Sequence, residues 1–154
     1  MKEEVLTKNL KNLFDKKITR KFTDMKDSYK NSINIKNNPI IYEVFIKDFD
    51  KFETGLTKIN PGQINKEYFM TKGHMHKKSS EEIYILISGK GKLLIQEKSP
   101  KILTLKKNNH YIIPGNAGHR LINTGNNPLE VYTIYNKNAG KDYNFKFTKK
   151  LFKK

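Results

Sequence analysis

The sequence predicts an all-β domain, either a sandwich or a small barrel, and three observations favour this fold class. Nine short segments after Pro39 are rich in β-branched and aromatic residues. Turn signals such as "NPGQ", "SGKG", "PGNAG" and "TGNNP" separate these segments at regular spacing. Aromatic residues are plentiful, with 9 Phe and 8 Tyr, although the hydrophobic fraction is only 36%. A chain of 154 residues is typical of one domain with a real core.

The part of the chain before residue 40 has a different pattern. Apolar residues recur there at roughly helical spacing, at Val5, Leu6, Leu10, Leu13 and Phe14. This spacing predicts either a short N-terminal helix or an extended arm that covers a barrel. The polar stretch "KNSINIKNNP" then predicts a loop. We therefore expect an N-terminal extension over residues 1–39 and a β-barrel domain over residues 40–154.

Nine strands are predicted in the second part of the chain. In order they are "IIYEVFI" (40–46), "TGLTKI" (54–59), "EYFMTKGHMH" (67–76), "EEIYILIS" (81–88), "GKLLIQE" (91–97), "KILTLK" (101–106), "HYIIP" (110–114), "HRLINT" (119–124) and "LEVYTIYN" (129–136).

The net charge of +16 invites a nucleic-acid interpretation, but the residue types oppose it. Only two of the 31 basic residues are arginines, Arg20 and Arg120, and arginine forks dominate base and phosphate recognition. Scattered lysines predict a solvated coat and no specific nucleic-acid partner, and the tail "KFTKKLFKK" is interpreted in the same way. A polyanion-binding protein remains an alternative.

The absence of cysteine excludes disulfides, thiol catalysis and cysteine-based zinc sites. The first ten residues contain acids and no apolar stretch, so no signal peptide is expected. No apolar run approaches the length of a membrane span. We expect a cytoplasmic protein with no membrane partner.

Two of the four histidines lie two residues apart, at His74 and His76. Alternate residues of a strand point to one face, so the two imidazoles are expected to aim together. Glu82 begins the next strand and can face the same pocket, whereas its neighbour Glu81 is expected to be a solvated turn residue. His119 follows "IIPGNAG" on a strand that could return alongside. Imidazoles with a carboxylate suit a divalent metal, and His110 is not expected to join them.

These two blocks resemble the paired motifs of the cupin superfamily, a small β-barrel with a metal in its mouth. Asn108 and Asn116 stand where the second block has glycine, and asparagine tolerates a left-handed backbone well. A narrower resemblance involves "NPGQINKEYFMTKGHMH", "EEIYILISGKG", "HRLINTGNNPL" and "IYNKNAGKDY". Together with "TDMKDSY", these segments are similar to the cupin-type phosphoglucose isomerases over residues 20–145.

The resemblance implies a site, residue by residue. The metal ligands would be His74, His76, Glu82 and His119. Catalytic roles would fall to Glu82, His76 and Tyr84. The sugar phosphate would be held at Tyr42, Thr57, Thr71, Gly73, Tyr135 and Tyr143, because hydroxyls and free N–H groups form a neutral cradle for a dianion. Lys72, beside Thr71, is interpreted as a surface residue.

The implied reaction interconverts glucose 6-phosphate and fructose 6-phosphate, with one divalent ion per chain. Iron(II) is favoured, and manganese(II), nickel(II) or zinc(II) also fit this ligand set. Glu82 would act as a base in an enediol route, or would handle hydroxyl protons in a metal-assisted hydride shift. The sequence leaves both routes open. A homodimer is also implied.

One residue departs from the family pattern. Many members have histidine where this chain has Lys141, in "AGKDY". Two alternatives therefore stay open besides the isomerase and the polyanion-binding protein. One is another cupin metalloenzyme, a dioxygenase or decarboxylase, which would need no phosphate cradle. The other is a cupin that binds sugar phosphate or metal without catalysis.

Overall fold

The computed structural model describes residues 13–30 and 35–153, and two antiparallel sheets dominate this part of the chain. Within these residues the strands are β1 (Lys16–Lys21), β2 (Ile40–Asp48), β3 (Phe52–Ile59), β4 (Gln63–Ile64), β5 (Glu67–Tyr68), β6 (Glu82–Ser88), β7 (Gly91–Gln96), β8 (Pro100–Thr104), β9 (His110–Ile113), β10 (Gly118–Asn123) and β11 (Leu129–Asn136). A single-turn helix, α1 (Phe22–Met25), and a 3₁₀ turn (Lys26–Ser28) follow β1.

The larger sheet has six strands in the order β1-β2-β3-β11-β6-β9, and the smaller has three in the order β10-β7-β8. A two-stranded ribbon joins β4 to β5. One apolar core draws fully buried side chains from both sheets, among them Ile59 and Val131 from the larger and Leu93 and Leu121 from the smaller. The all-β prediction is confirmed.

Strand β6 has the alternation that the sequence predicts. Glu82, Tyr84 and Leu86 are buried, and the residues between them are only partly buried. Strand β11 lies between β3 and β6, so its inward residues meet side chains from both neighbours. Tyr135, for example, is opposite Glu53 on one side and Glu82 on the other. This register places the first residue of β6 at the end of the barrel where the site forms.

The predicted continuous strand over residues 67–76 is wrong. Only Glu67–Tyr68 form a strand, and the rest is an irregular segment held by isolated bridges to β10 and to Asp142. Gly73 has a φ of 73°, a left-handed conformation that interrupts an extended run. The segment nevertheless returns to the smaller sheet on either side of Gly73.

The N-terminal region contains both an extended and a helical piece in its described part. Strand β1 pairs antiparallel with β2 and forms one edge of the larger sheet. Phe22 and Met25 of α1 are buried in the core. The apolar positions Val5, Leu6 and Leu10 lie outside the described residues. The boundary between an extension and a barrel at residues 39 and 40 stays a prediction.

The basic segment after Phe145 packs on the fold at a few residues, although Lys146, Lys149 and Lys153 are exposed, as a solvated coat predicts. Gln96 receives the backbone amide of Thr148 at 2.9 Å and donates to the carbonyl of Lys146 at 3.1 Å. The Lys150 ammonium donates to the carbonyl of Ser28 at 2.8 Å and lies 3.4 Å from Glu67 Oε1. In the described residues, no helix has the length and apolar character that crossing a membrane requires.

Candidate metal centre

Four side chains converge at the mouth of the barrel. His76 Nε2 lies 3.2 Å from Glu82 Oε2, His119 Nε2 lies 2.9 Å from it, and His74 Nε2 lies 4.0 Å away. All four ligand atoms lie within 4.8 Å of one another. Glu82, His76 and His119 are buried, and His74 is half-buried. The predicted ligand residues are therefore brought together.

A short antiparallel bridge brings two of these histidines together from distant parts of the sequence. The amide of His119 donates to the carbonyl of His74 at 2.9 Å, and the amide of His74 donates back at 3.2 Å. The segment beyond His74 is held in the same way, because Met75 and Asp142 exchange two backbone hydrogen bonds. These bridges, rather than strand alternation, aim His74 and His76 at Glu82.

Two of the imidazole rings are oriented by hydrogen bonds on their far side. His76 Nδ1 lies 2.7 Å from the carbonyl oxygen of Ser80, and His119 Nδ1 lies 3.1 Å from that of Ala117. A carbonyl only accepts hydrogen bonds, so each Nδ1 carries a proton, and in a neutral ring with this tautomer the lone pair is on Nε2. Such an orienting partner is typical of a metal-ligating histidine.

The converging atoms have no well-formed hydrogen bond. Nε2 of His74, His76 and His119 and Oε2 of Glu82 are buried without a partner of acceptable geometry among the described residues. The four atoms converge within 4.8 Å of one another, which favours a shared cation over ring-to-carboxylate hydrogen bonds. Four orphaned donor atoms of nitrogen and oxygen type fit a divalent cation.

The protonation states of His74 and Glu82 favour metal binding, whereas the contact with Glu82 raises the pKa of His76. Burial, followed by the neighbouring His119, holds the pKa of His74 well below its ordinary value, so this ring is neutral at pH 7. Burial alone would raise the pKa of Glu82, but contacts from His119 and His76 outweigh it and hold that pKa low. Neutral imidazoles and an ionised carboxylate are the forms that ligate a metal.

The other predicted site residues line one cavity beside the cluster. The cavity is bounded by Tyr42, Thr57, Thr71, Gly73, Tyr84, Tyr135 and Tyr143, together with His74, Glu82 and His119. His76 reaches the cluster from an adjoining cavity that it shares with Lys141. The structure thus places every predicted site residue around the same centre, while their individual roles remain predictions.

The threonine side of the cavity is built by contacts between β10 and the irregular segment. Thr71 Oγ1 accepts the amide of Leu121 at 3.0 Å, which leaves the hydroxyl hydrogen of Thr71 available to a ligand. Tyr42 accepts the amide of Lys72 through its hydroxyl at 3.4 Å. Gly73 lies against the Phe147 ring and the carbonyl of His119, so no side chain fits there.

Arg120 is a structural contributor that the sequence analysis did not assign to the site. It is 5% exposed; its Nε donates to the carbonyl of Thr71 at 3.1 Å and its Nη2 to that of Lys72 at 2.6 Å. The guanidinium also packs on the Phe147 ring, 4.3 Å from its centroid. Arg120 directly follows the predicted ligand His119, so its position in the sequence indicates that it lies near the site. Its partners, the carbonyls of Thr71 and Lys72, could not be predicted because they depend on the isolated bridges to β10.

Five other residues named from the sequence lie outside the ligand set. Glu81 and His110 are exposed and lie outside the cluster, as predicted. Asn108 has a φ of 62°, which confirms that it replaces a glycine in a left-handed turn, whereas Asn116 is not left-handed. Lys72 is half-buried and its ammonium lies 5.6 Å from the centroid of the Tyr143 ring, so it is not a freely solvated surface residue.

The cavity also contains residues that were not predicted as lining, namely Val44, Leu121, Thr133 and Lys141. Val44 and Thr133 belong to inward positions of β2 and β11. Their presence follows from the register of the larger sheet, where Thr57 pairs with Val44 and with Val131. Sequence alternation gives each strand two faces, but the cross-strand partners are set by pairing over long distances.

Comparison with solved structures shows the fold. The chain superposes on the oxalate decarboxylase of Lactobacillus farciminis with a TM-score of 0.57 and 22% identity, over 66% of this chain and 31% of that one. For the oxalate decarboxylase of Bacillus subtilis the TM-score is 0.54 at 20% identity, over 70% and 28% of the two chains. The chain spans about a third of these proteins, and its architecture is the cupin fold.

Comparison with known sequences is more specific. The chain is 35% identical over 140 residues to the glucose-6-phosphate isomerase of Pyrococcus abyssi, covering 83% of this chain and 74% of the relative. It is 35% identical over 139 residues to that of Thermococcus kodakarensis, with the same coverage. A putative glucose-6-phosphate isomerase of Rhizobium meliloti is 31% identical over 116 residues, 70% of this chain and 53% of that one. The model of the glucose-6-phosphate isomerase (GPI) family matches residues 2–150, and the chain therefore belongs to that family.

Proposed function

We propose that this protein is a metal-dependent isomerase that interconverts glucose 6-phosphate and fructose 6-phosphate in the cavity beside the cluster. Membership of the glucose-6-phosphate isomerase family supports the reaction. The observation that carries the metal dependence is the convergence, at the base of that cavity, of Glu82 Oε2 and three Nε2 atoms that have no well-formed hydrogen bond in the described part of the chain. His74, His76, Glu82 and His119 would hold one divalent ion.

A bound divalent ion would supply a Lewis acid for the oxygens on C1 and C2 of the sugar. Glu82 is the carboxylate of the cluster that lines the cavity. Its Oε2 faces the histidines, which leaves the second oxygen to exchange a proton with the substrate. In the enediol route Glu82 takes the proton from C2 and returns it to C1, while the hydroxyl proton on O2 moves to O1.

Tyr84 supports this arrangement from the next inward position of β6. Burial, followed by the charge of Glu82, keeps the pKa of Tyr84 well above its ordinary value, so its hydroxyl stays protonated. It can therefore donate a hydrogen bond to Glu82 or to a sugar oxygen. The edge of its ring meets the His119 ring with centroids 5.8 Å apart, which limits the motion of both.

The phosphate is proposed to lie on the threonine side of the cavity, which extends away from Tyr135 as far as Thr57. Thr57 pairs with Val131, four residues along β11 from Tyr135, and four residues of strand span about 13 Å. Thr57, Thr71, Gly73 and Tyr42 offer hydroxyls and a glycine without a side chain. This cradle favours a phosphorylated sugar over a small dicarboxylate, so we prefer the isomerase to a decarboxylase. The likeness to oxalate decarboxylases concerns the fold.

A coupled assay with fructose 6-phosphate tests the proposal. The protein is stripped with a chelator and then given iron(II), manganese(II), nickel(II) or zinc(II) in turn, and glucose 6-phosphate is measured. We expect turnover only after a metal returns, with iron(II) the favoured ion. Oxalate serves as the control substrate and should not be consumed. A protein that binds metal but never forms glucose 6-phosphate contradicts the isomerase function.

Variants of two histidines separate the site from the rest of the fold. His76→Ala should lose both metal and turnover, because its Nε2 is one of the converging atoms. His110→Ala is the matched control, since this exposed residue lies outside the cluster. Full turnover in His76→Ala would contradict the site. The homodimer and the cytoplasmic location stay predictions.

A further inference from the structure

Lys141 is a cation in the wall of the cavity. Its side chain is half-buried and lines the cavity together with Glu82 and Tyr135. Its ammonium lies over the face of the Tyr135 ring, 4.7 Å from the centroid, and no carboxylate of the described residues forms an ion pair with it. Burial lowers the pKa of Lys141, and the charges of Glu82 and Glu53 only partly oppose this effect. The positive charge of a half-buried ammonium that faces a cavity without an ion-pair partner is only partly stabilised by its surroundings.

The surroundings hold the ammonium at one place. The Tyr135 hydroxyl donates to Glu53 Oε2 at 2.8 Å, which fixes the ring on which Lys141 lies. The adjacent residue, Asp142, exchanges backbone hydrogen bonds with Met75 at 3.1 and 2.7 Å. Lys141 is therefore positioned by the same bridge that positions the histidine segment.

The end of the cavity at which Lys141 lies can be read from the strand register. Tyr135 is opposite Glu82 in the pairing of β11 with β6. The threonine end, marked by Thr57, is about 13 Å further along β11. Lys141 thus faces the end where carbon chemistry is proposed, and Thr57 lies at the other end.

We propose that Lys141 contacts the C1 and C2 oxygens of the substrate and stabilises the negative charge that develops on them during isomerisation. When the reaction starts from the aldose, loss of the C2 proton to Glu82 moves the electron pair of the C2–H bond into a C1–C2 double bond, and the carbonyl electron pair moves onto O1. A fixed cation at that end would stabilise this charge more than it stabilises the neutral carbonyl, and so it would raise kcat. This inference rests on the proposed isomerase function.

Two ligands that differ only at C1 test the contact without turnover. 6-Phosphogluconate has a carboxylate at C1, and sorbitol 6-phosphate has a neutral hydroxyl there, while both share the phosphate. Their affinities for the metal-loaded protein are measured by calorimetry. We expect Lys141→Met to weaken the binding of 6-phosphogluconate by about 10- to 100-fold and that of sorbitol 6-phosphate by less than about twofold. A charged hydrogen bond is lost only with 6-phosphogluconate.

Two companion variants and two further measurements complete the design. Lys141→Arg keeps the charge and should retain most of the affinity for 6-phosphogluconate. Lys137→Met removes an exposed lysine nearby, whose ammonium is bonded to Asp48 Oδ1 at 2.8 Å, and should change neither affinity. In the isomerase assay, Lys141→Met should lower kcat by about 100-fold with little change in KM. The metal content should equal that of the unmodified protein.

The outcomes distinguish this inference from the proposed function. If Lys141→Met loses affinity for both ligands equally, or for neither, the inference is overturned. Selective loss of 6-phosphogluconate supports it. If Lys141→Met selectively loses affinity for 6-phosphogluconate but the unmodified protein never turns over fructose 6-phosphate, the isomerase function fails while the contact at the C1 end is supported.

Discussion

His74 and His119 face each other across an isolated antiparallel bridge, with ring centroids 4.4 Å apart at an angle of 68°. Two backbone hydrogen bonds hold this pair before any side-chain contact is considered. The backbone therefore brings the two imidazoles together, and the rings do not have to move far to share one ion. Preorganisation of this kind lowers the entropic cost of ligation.

His119→Ala should abolish stoichiometric metal binding and leave the protein folded. His119 is 1% exposed, but the bridge to His74 uses main-chain atoms that alanine retains. Metal content after purification and the far-ultraviolet circular dichroism spectrum measure the two effects. His110→Ala again provides the control. Retention of one metal ion per chain in His119→Ala would show that this residue is not a ligand.

Thr57→Val should raise the KM for fructose 6-phosphate by roughly tenfold without loss of stability. Thr57 lines the cavity, and no hydrogen bond to its hydroxyl is recorded within the described residues. Its loss would remove one hydrogen bond to a charged ligand, about 1.5 to 3 kcal/mol. Thr54→Val is the matched control from the same strand, because the Thr54 hydroxyl is buried without a partner and does not line the cavity. Equal KM values for Thr57→Val and Thr54→Val would show that Thr57 does not bind the phosphate.

Thr71→Val should combine a stability loss with a binding loss. Thr71 Oγ1 accepts the amide of Leu121, so valine leaves a buried N–H unpaired at about 1 to 3 kcal/mol. Thr71→Ser keeps the acceptor and should recover most of the midpoint in thermal unfolding and most of the affinity. If Thr71→Val unfolds at the same temperature as the unmodified protein, the hydroxyl does not support β10.

Gly73→Ala should destabilise the site and lower activity. Gly73 has a φ of 73°, and a Cβ there would lie 2.7 Å from a carbon of the Phe147 ring and 2.9 Å from the carbonyl of His119. We expect a cost of about 1 to 3 kcal/mol from the strained backbone together with the steric overlap. Chemical denaturation measures it. Gly125→Ala, where the nearest atom is 3.2 Å away and φ is ordinary, should cost clearly less.

Arg120→Lys should weaken both substrate binding and the fold. The arginine fork bonds the carbonyls of Thr71 and Lys72 together, and an ammonium cannot reproduce its planar geometry or its stacking on Phe147. We expect a KM increase of about three- to tenfold and a stability loss of about 1 to 2 kcal/mol. Steady-state kinetics and thermal unfolding measure the two effects. Unchanged kinetics would show that the Thr71 carbonyl is positioned without Arg120.

The parts of the fold that depend on local pattern could be predicted from the sequence. The inward face of β6 follows directly from the alternation of Glu82, Tyr84 and Leu86. The left-handed turn at Asn108 follows from residue chemistry. The ligand set could be named because its spacing resembles a known family.

Features that depend on long-range pairing could not be predicted. The extended pattern of residues 67–76 indicates a strand, yet the segment leaves the sheet where Gly73 turns and is held by bridges to β10 and Asp142. The docking of the basic tail also escaped prediction, because lysine frequency obscures the few anchoring contacts of Gln96 and Lys150. The sequence around Gln96 or Lys150 contains no pattern that indicates the partner of either residue.

The bridge between Met75 and Asp142 has a consequence for the order of events during protein synthesis. The histidine segment leaves the ribosome long before the segment that holds it, and the chain emerges at about 5 to 20 residues per second. Phe147, which packs against Gly73 and Arg120, appears later still. The nascent chain thus exposes two imidazoles and Glu82 for seconds before the bridge between Met75 and Asp142 can form. Correct loading with the native ion is therefore expected to follow translation, when the finished chain can select among the metals the cell supplies.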